Sequence, residues 1–277
     1  MVRPGTQLSH APHGVGIVTG DLLVPTTLGV EASATGPLDV VFHCAALLPS
    51  AAGCDPAQFL AANATATELL LNACERRSIR RFVYLSSIAV IGHPSVVPID
   101  EHHPTAPATP YAVGKLGGEQ ACERARTRGM LAASLRLSSP YGPGMALGSV
   151  LPLFVHRALR GEPLAWHGSG SRSQDFIHVE DVVSACIGAA TAGASGNYVL
   201  GSGVATSMRE LAMNVASLFP GLRAGPSSQP DPQEGVRWQL DISSLQRDAG
   251  FLPRVALGEG IARYVDSQKN PSRTEGP

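Results

Sequence analysis

From residue 15 to about residue 200, short apolar, β-branched runs alternate with longer stretches of helical period. That alternation limits the chain to a sheet of parallel strands joined by helices. Asp39–His43 (DVVFH), Phe82–Leu85 (FVYL) and Ala132–Leu137 (AASLRL) read as strands. Val15–Thr19 is expected to be an earlier strand, followed by Gly20-Asp21. Between them, Gln58–Arg77 places Leu60, Leu69, Leu70 and Ala73 on or near one helical face. A second helix is predicted from about Tyr111 to Gly129.

The texture changes after Tyr141. A helix near Leu151–Arg160 precedes short strands and loops, with Gln174–Val179 as a strand and Glu180-Asp181 opening the helix that carries Val182 to Ala190. Ser207 and Glu210 have capping-box spacing at the start of a helix running to Phe219, and Gly221–Gly235 reads as a loop. The fold expected is α/β: a nucleotide-binding-type lobe over 1–145, with strands added from about 174–200. Residues 146–266 form mainly a smaller α+β lobe, and 267–277 a flexible tail.

A chain of 277 residues is long enough for a well-buried core. With 21 cationic and 22 acidic side chains it has no electrostatic reason to seek nucleic acid or an anionic membrane. No apolar stretch approaches the roughly 18 residues of a membrane span, and MVRPGTQLSH lacks the apolar core of a secretory signal. Five scattered cysteines without metal-binding spacing point to reduced thiols, a cytoplasmic setting and no metal site. His102-His103 reads as part of a solvated loop, and His43 as a core histidine.

Tyr111 and Lys115 form Y-x-x-x-K at the start of a helix, which places both on one face. A phenol is a poor acid or base near neutrality unless a cation stabilises its anion, and a lysine one turn away provides one. Lys115 and Lys269 are the only lysines among the 21 cations, so Lys115 stands where arginine does not serve. Ser87 ends a strand, and the carboxyl edge of an open α/β sheet is where ligands bind.

In this order the segments resemble the extended short-chain dehydrogenase/reductase family, in particular the NAD-dependent epimerase/dehydratases that act on nucleotide sugars. The likeness runs from about Val2 to Val265. It implies a Rossmann-like fold, with Asp21 and Leu22 of GIVTGDLL at the adenine and Cys44, Ala45 and Ala46 of DVVFHCAAL beside the dinucleotide. On the residues alone, Cys44 reads as a small buried side chain. The resemblance also implies Asn63 as a cofactor contact, Ser87, Tyr111 and Lys115 as the catalytic set, and Pro140 near the nicotinamide. Ser139 falls on a substrate-binding position, and the GSGSRSQDFIHVEDVV segment resembles the nucleotide-sugar lobe. A homodimer is implied by the resemblance, through the helices that follow the second and third clear strands.

The chain departs from the family at its front, where no T-G-x-x-G-x-x-G turn is present. The opening Val2-Arg3-Pro4-Gly5 resembles the end of the family's second strand, where Arg3 would favour NADP over NAD. Three readings stay open. The true start lies upstream, or the element has been lost together with dinucleotide binding, or residues 1–20 rearrange to complete the sheet. Gly201-Ser202-Gly203 is not expected to hold phosphate. A second departure is Gln174, where the family often has an arginine that pairs with the substrate diphosphate. By strand alternation Arg172 either takes over or is a solvated loop charge, and Arg237 stands near a second missing cation.

These readings predict an NAD(P)-dependent epimerase, dehydratase or ketoreductase acting on a nucleotide-activated sugar. The rival is a relict binding or scaffold protein without redox chemistry.

Overall fold

The computed structural model describes residues 14–28, 37–49, 53–145 and 147–270. Its central sheet has four strands: β1 (Val40–His43), β2 (Arg81–Ser87), β3 (Leu131–Leu137) and β7 (Gly196–Leu200), in that spatial order and all parallel. The connection from β1 to β2 is one continuous helical stretch, α1 (Pro56–Leu60), a π-helical turn over Ala61–Thr65, and α2 (Ala66–Arg76). Helix α3 (Pro110–Thr127) connects β2 to β3. Thr109 caps α3 by accepting from the Ala112 N–H at 3.2 Å, Pro110 occupies the first turn, and Arg124 and Arg126 lie in the last.

Strand alternation divides the core. Phe82, Tyr84 and Ala132 pack with Leu70, Leu71 and Cys74 of α2 and Ala121, Cys122 and Ala125 of α3 on one face. Val83, Ala133 and Leu135 face the other way, onto Val182, Ala185, Cys186 and Ala189 of α5 (Val179–Ala192). Helix α3 approaches β2 closely at Gly118, where any Cβ would collide with the Tyr84 hydroxyl. Both faces of β2 and β3 are covered, as a parallel sheet requires.

The second lobe is built from segments on both sides of β7 in the chain. Here β4 (Ser139–Tyr141) pairs with β6 (Ser173–His178), β6 pairs with β8 (Ala205–Ser207), and β5 (Leu164–Trp166) pairs with β9 (Ala224–Pro226). Helices α4 (Val150–Leu159), α6 (Met208–Ala216) and α8 (Leu257–Lys269) close a core around Leu151, Phe154, Phe176, Leu211 and Ile261. The capping box expected at Ser207 and Glu210 is present, although α6 stops at Ala216 rather than Phe219. Helix α7 (Ser243–Ala249) packs against α5.

Three expectations change. Val15–Thr19 is not a strand: only Thr19 holds a bridge position, and Val15 and Ile17 are 55% and 45% exposed. An apolar run becomes a strand only where a neighbouring ladder pairs its backbone. The 221–235 segment is not all loop, because Ala224–Pro226 pairs with β5. The expected tail begins too early, since α8 extends to Lys269; residues beyond 270 lie outside the description.

Candidate active site

The carboxyl ends of β1 and β2 and the amino terminus of α3 meet at one edge of the sheet. Ser87 is the last residue of β2, and its Oγ accepts from the Ala89 N–H at 3.2 Å, starting a 3-10 turn over Ile88–Ile91. Tyr111 lies in the first turn of α3. Burial pushes its phenol above the usual range, and a side-chain hydrogen bond with Ser87 acts in the opposite direction. Lys115, one turn further on, is buried, and its Nζ donates to the Leu85 carbonyl at 2.6 Å. That Nζ lies 6.0 Å from the Tyr111 ring centroid and 4.9 Å from that of Tyr84. Burial lowers the ammonium to about 8, against smaller upward effects of Cys44 and Glu119.

The fold therefore brings Ser87, Tyr111 and Lys115 together. The pull on Tyr111 differs from the expected one, because the lysine charge is directed at a β2 carbonyl and the serine opposes the effect of burial.

A polar lattice lies behind this edge. Glu119, one turn beyond Lys115, is buried and accepts from Ser86 Oγ at 2.6 Å and from Arg136 Nη2 at 3.0 Å. Arg136 Nη1 also donates to the Glu101 carbonyl at 3.0 Å. Sequence spacing suggests Glu119 as a partner of Lys115. Strand alternation, which aims both Ser86 and Arg136 at α3, was the signal for the pairing the structure has. His43 is buried, stacks on Tyr84 at 5.4 Å and meets Thr67 Oγ1 at 3.0 Å; burial lowers its pKa to about 3.

Beside β1 lies a cavity of about 630 Å3. Asp21, Leu22, Cys44, Ala45 and Ala46 all line it, so five of the expected cofactor positions share one hollow. Cys44 is exposed there, not buried as its residue type suggests, because it sits at the mouth just past the end of β1. Asp21 orders its own turn, its Oδ1 accepting from the Leu23 N–H at 2.9 Å. Asn63 is buried in the π-helical turn, where its side chain accepts from Leu47 N and donates to Leu47 O at 2.8 and 3.0 Å. It pins the Cys44–Leu47 loop and does not line the cavity. Arg3 lies outside the described residues.

On the second lobe, Ser139 Oγ donates to Gln174 Oε1 at 3.2 Å, and Pro140 follows in β4. Arg172 is committed to Asp231 at 2.8 Å, with Gln233 Oε1 at 3.4 Å. Arg237 lines a different hollow, on the side of β6 that Ser173 faces. Gly201-Ser202-Gly203 wraps the buried Asp175 carboxylate, which accepts from Ser202 N at 2.6 Å and Gly203 N at 2.8 Å. The amides of that loop are thus spent on the chain's own anion. Burial nevertheless raises the pKa of Asp175 to about 6. His103 is buried and meets the Ser95 N–H at 3.1 Å and the Pro104 carbonyl at 2.8 Å, whereas its neighbour His102 is solvated. No helix among the described residues is long and apolar enough to cross a membrane.

Residues 3–201 match the family model described as the NAD dependent epimerase/dehydratase family. The UDP-glucose 4-epimerase of Mycolicibacterium smegmatis is 34% identical over 258 residues, which span 88% of this chain and 82% of that protein. Among solved structures, the Thermus thermophilus UDP-glucose 4-epimerase in complex with NAD superposes with a TM-score of 0.81 at 26% identity, covering 94% of this chain and 86% of that one. RMD from Pseudomonas aeruginosa, complexed with NADPH, gives 0.79 at 27%, covering 91% and 87%. The chain belongs to the NAD-dependent epimerase/dehydratase family.

Proposed function

We propose that this chain is an NAD(P)-dependent epimerase, dehydratase or ketoreductase acting on a nucleotide-activated sugar. The observation that carries this reading is the convergence of Ser87, Tyr111 and Lys115 at the carboxyl edge of the sheet, next to a hollow lined by small residues. The hollow suits a dinucleotide in its chemistry: Cys44, Ala45 and Ala46 are small side chains that leave backbone accessible, and Asp21 and Leu22 line the same cavity. When bound, the nicotinamide supplies the acceptor and donor of hydride.

Tyr111 exchanges a proton with the sugar hydroxyl or ketone, and Ser87 hydrogen-bonds the same oxygen as its charge develops. Lys115 supplies positive charge to the site and a donor for the cofactor ribose, which requires its Nζ to leave or share the Leu85 carbonyl. The β4–β6 junction, with Ser139 and Gln174, is the proposed substrate wall. Since Arg172 is engaged by Asp231, the diphosphate of a nucleotide sugar must either compete for that guanidinium or rely on neutral donors. The names of the relatives, epimerases of UDP-glucose among them, support the substrate class.

A homodimer through α1–α2 and α3 belongs to the same proposal; Leu60 and Val113 present exposed apolar side chains there. Sedimentation of the purified chain at twice the monomer mass supports it, and a monomer at all concentrations rejects it.

Turnover of UDP-glucose with NAD or NADP is the test of function. Tyr111→Phe is expected to lower kcat by about 10²–10⁴-fold. Unchanged turnover in that variant rejects the assigned roles.

A further inference from the structure

Three consecutive residues of β2 are each tied to a different turn of α3. The Leu85 carbonyl accepts from Lys115 Nζ at 2.6 Å, Ser86 Oγ donates to Glu119 Oε1 at 2.6 Å, and Ser87 hydrogen-bonds with Tyr111. Tyr111, Lys115 and Glu119 follow one another at intervals of four residues, so they share one face of the helix. Tyr111 and Lys115 act in the proposed reaction, whereas Glu119 is only 2% exposed and lies too deep to meet a ligand.

Both oxygens of Glu119 are bonded. Oε1 accepts from Ser86 and from Arg136 Nε at 3.1 Å, and Oε2 accepts from Arg136 Nη2 at 3.0 Å. Arg136 stands opposite Ser86 in the β2–β3 register and is fixed from its far side, its Nη1 donating to the Glu101 carbonyl at 3.0 Å. Ser244 of α7 in turn donates to the Glu101 carboxylate. The Glu119 carboxylate is thus held by two strands at once. Helix α3 cannot slide along β2 without breaking charge-assisted hydrogen bonds in a dry site.

With its oxygens spent there, Glu119 acts on Lys115 through space and not through a bond. The ammonium is buried, and burial works against its charge. Two groups act in its favour, Cys44 and Glu119. Burial raises the Cys44 thiol, which is therefore uncharged near neutrality and gives little support. The other titratable side chains around Lys115 are uncharged as well, because burial raises Tyr84 and Tyr111 and lowers His43. Among the described residues, Glu119 is accordingly the anion that sustains the cation.

We propose that Glu119 is a positioning residue of the catalytic edge: it locks the Tyr111–Lys115 face of α3 onto β2 and keeps Lys115 in its ammonium form without bonding to it. The N–H groups of that ammonium beyond the Leu85 bond then remain for a ligand. The bearing of Glu119 on turnover rests on the proposed function, but its hold on the protonation of Lys115 does not.

The test uses the scarcity of lysine. Lys115 and Lys269 are the only two, so isotope labelling of lysine in the full chain gives two side-chain signals in an NMR pH titration, with exposed Lys269 as the internal reference. The Lys115 midpoint is expected near 8 in the unchanged chain. Glu119→Gln alone strands the Arg136 cation, so it is combined with Arg136→Met, which neutralises the whole ion pair. In that double variant the midpoint should fall, and the alkaline limb of turnover should move to lower pH with it. Glu119→Asp keeps the anion and should recover most of the midpoint. Cys122→Ala loosens the same helix against the sheet without changing its charge, and should leave the midpoint where it was. A midpoint unmoved in the double variant, as low in Glu119→Asp as in the double variant, or equally lowered in Cys122→Ala would each overturn the role. Absence of turnover in the unchanged chain, with the midpoint falling as expected in the double variant, would fault the proposed function and leave the action of Glu119 on Lys115 standing.

Discussion

The carboxyl ends of the inner strands β2 and β3 and the edge strand β1 are built in contrasting ways. At the β2–β3 end the polar groups are buried and paired: Glu119 holds Ser86 and Arg136, Arg136 reaches the Glu101 carbonyl, and Lys115 reaches Leu85. At the β1 end, among the described residues, Phe42 is 41% exposed, Val15 and Ile17 lie open, and a 630 Å3 hollow is lined by the strand together with Asp21 and Leu22. Proton chemistry needs side chains held to fractions of an ångström, which a buried lattice provides. A large ligand needs space and accessible backbone, which small residues around a hollow provide. In the proposed function the rigid end does the proton chemistry and the open end receives the cofactor.

The largest expected effect is at the rigid end. Arg136→Met leaves the Glu119 carboxylate buried without its cation and should cost about 3–5 kcal/mol in urea unfolding. A loss below about 1 kcal/mol would mean that the lattice does not hold this end. Next, Asn63→Ala strands the Leu47 amide and carbonyl at the hollow and should cost about 1–3 kcal/mol, with a matching loss of dinucleotide affinity.

A smaller effect is read in pH. Lys115 is charged below about pH 8 and neutral above it, so a rate that depends on its cation falls as pH rises through about 8. Lys115→Arg, charged throughout, should remove that alkaline limb even at a reduced rate. A limb that persists in the variant assigns it to another group. The smallest effect is at the open end, where Phe42→Thr should change stability by no more than about 0.5 kcal/mol. A larger cost would show that this edge is packed against something in solution.

The sequence made the rigid end readable because its signals are local. Alternation in FVYL and AASLRL fixes which residues face α3, and the i,i+4 spacing of Tyr111 and Lys115 survives in any helix. The open end is less legible in sequence because its structure depends on partners. Val15–Thr19 has strand composition, but composition does not say whether a ladder is available to pair it. Likewise Cys44 reads as buried by residue type but lies exposed beyond the end of β1. The commitment of Arg172 to Asp231, 59 residues away, has no local signature. Resemblance marks Asn63 as a cofactor contact, whereas its bidentate hold on Leu47, 16 residues away, is set by the fold.

The proposed function requires the open hollow to receive a dinucleotide beside the fixed trio. Calorimetric titration of the 277-residue chain with NAD, NADH, NADP and NADPH measures this directly. Saturable heat at micromolar concentration is predicted for at least one of the four, weakened by Asn63→Ala. The absence of heat with all four up to millimolar concentration would contradict it.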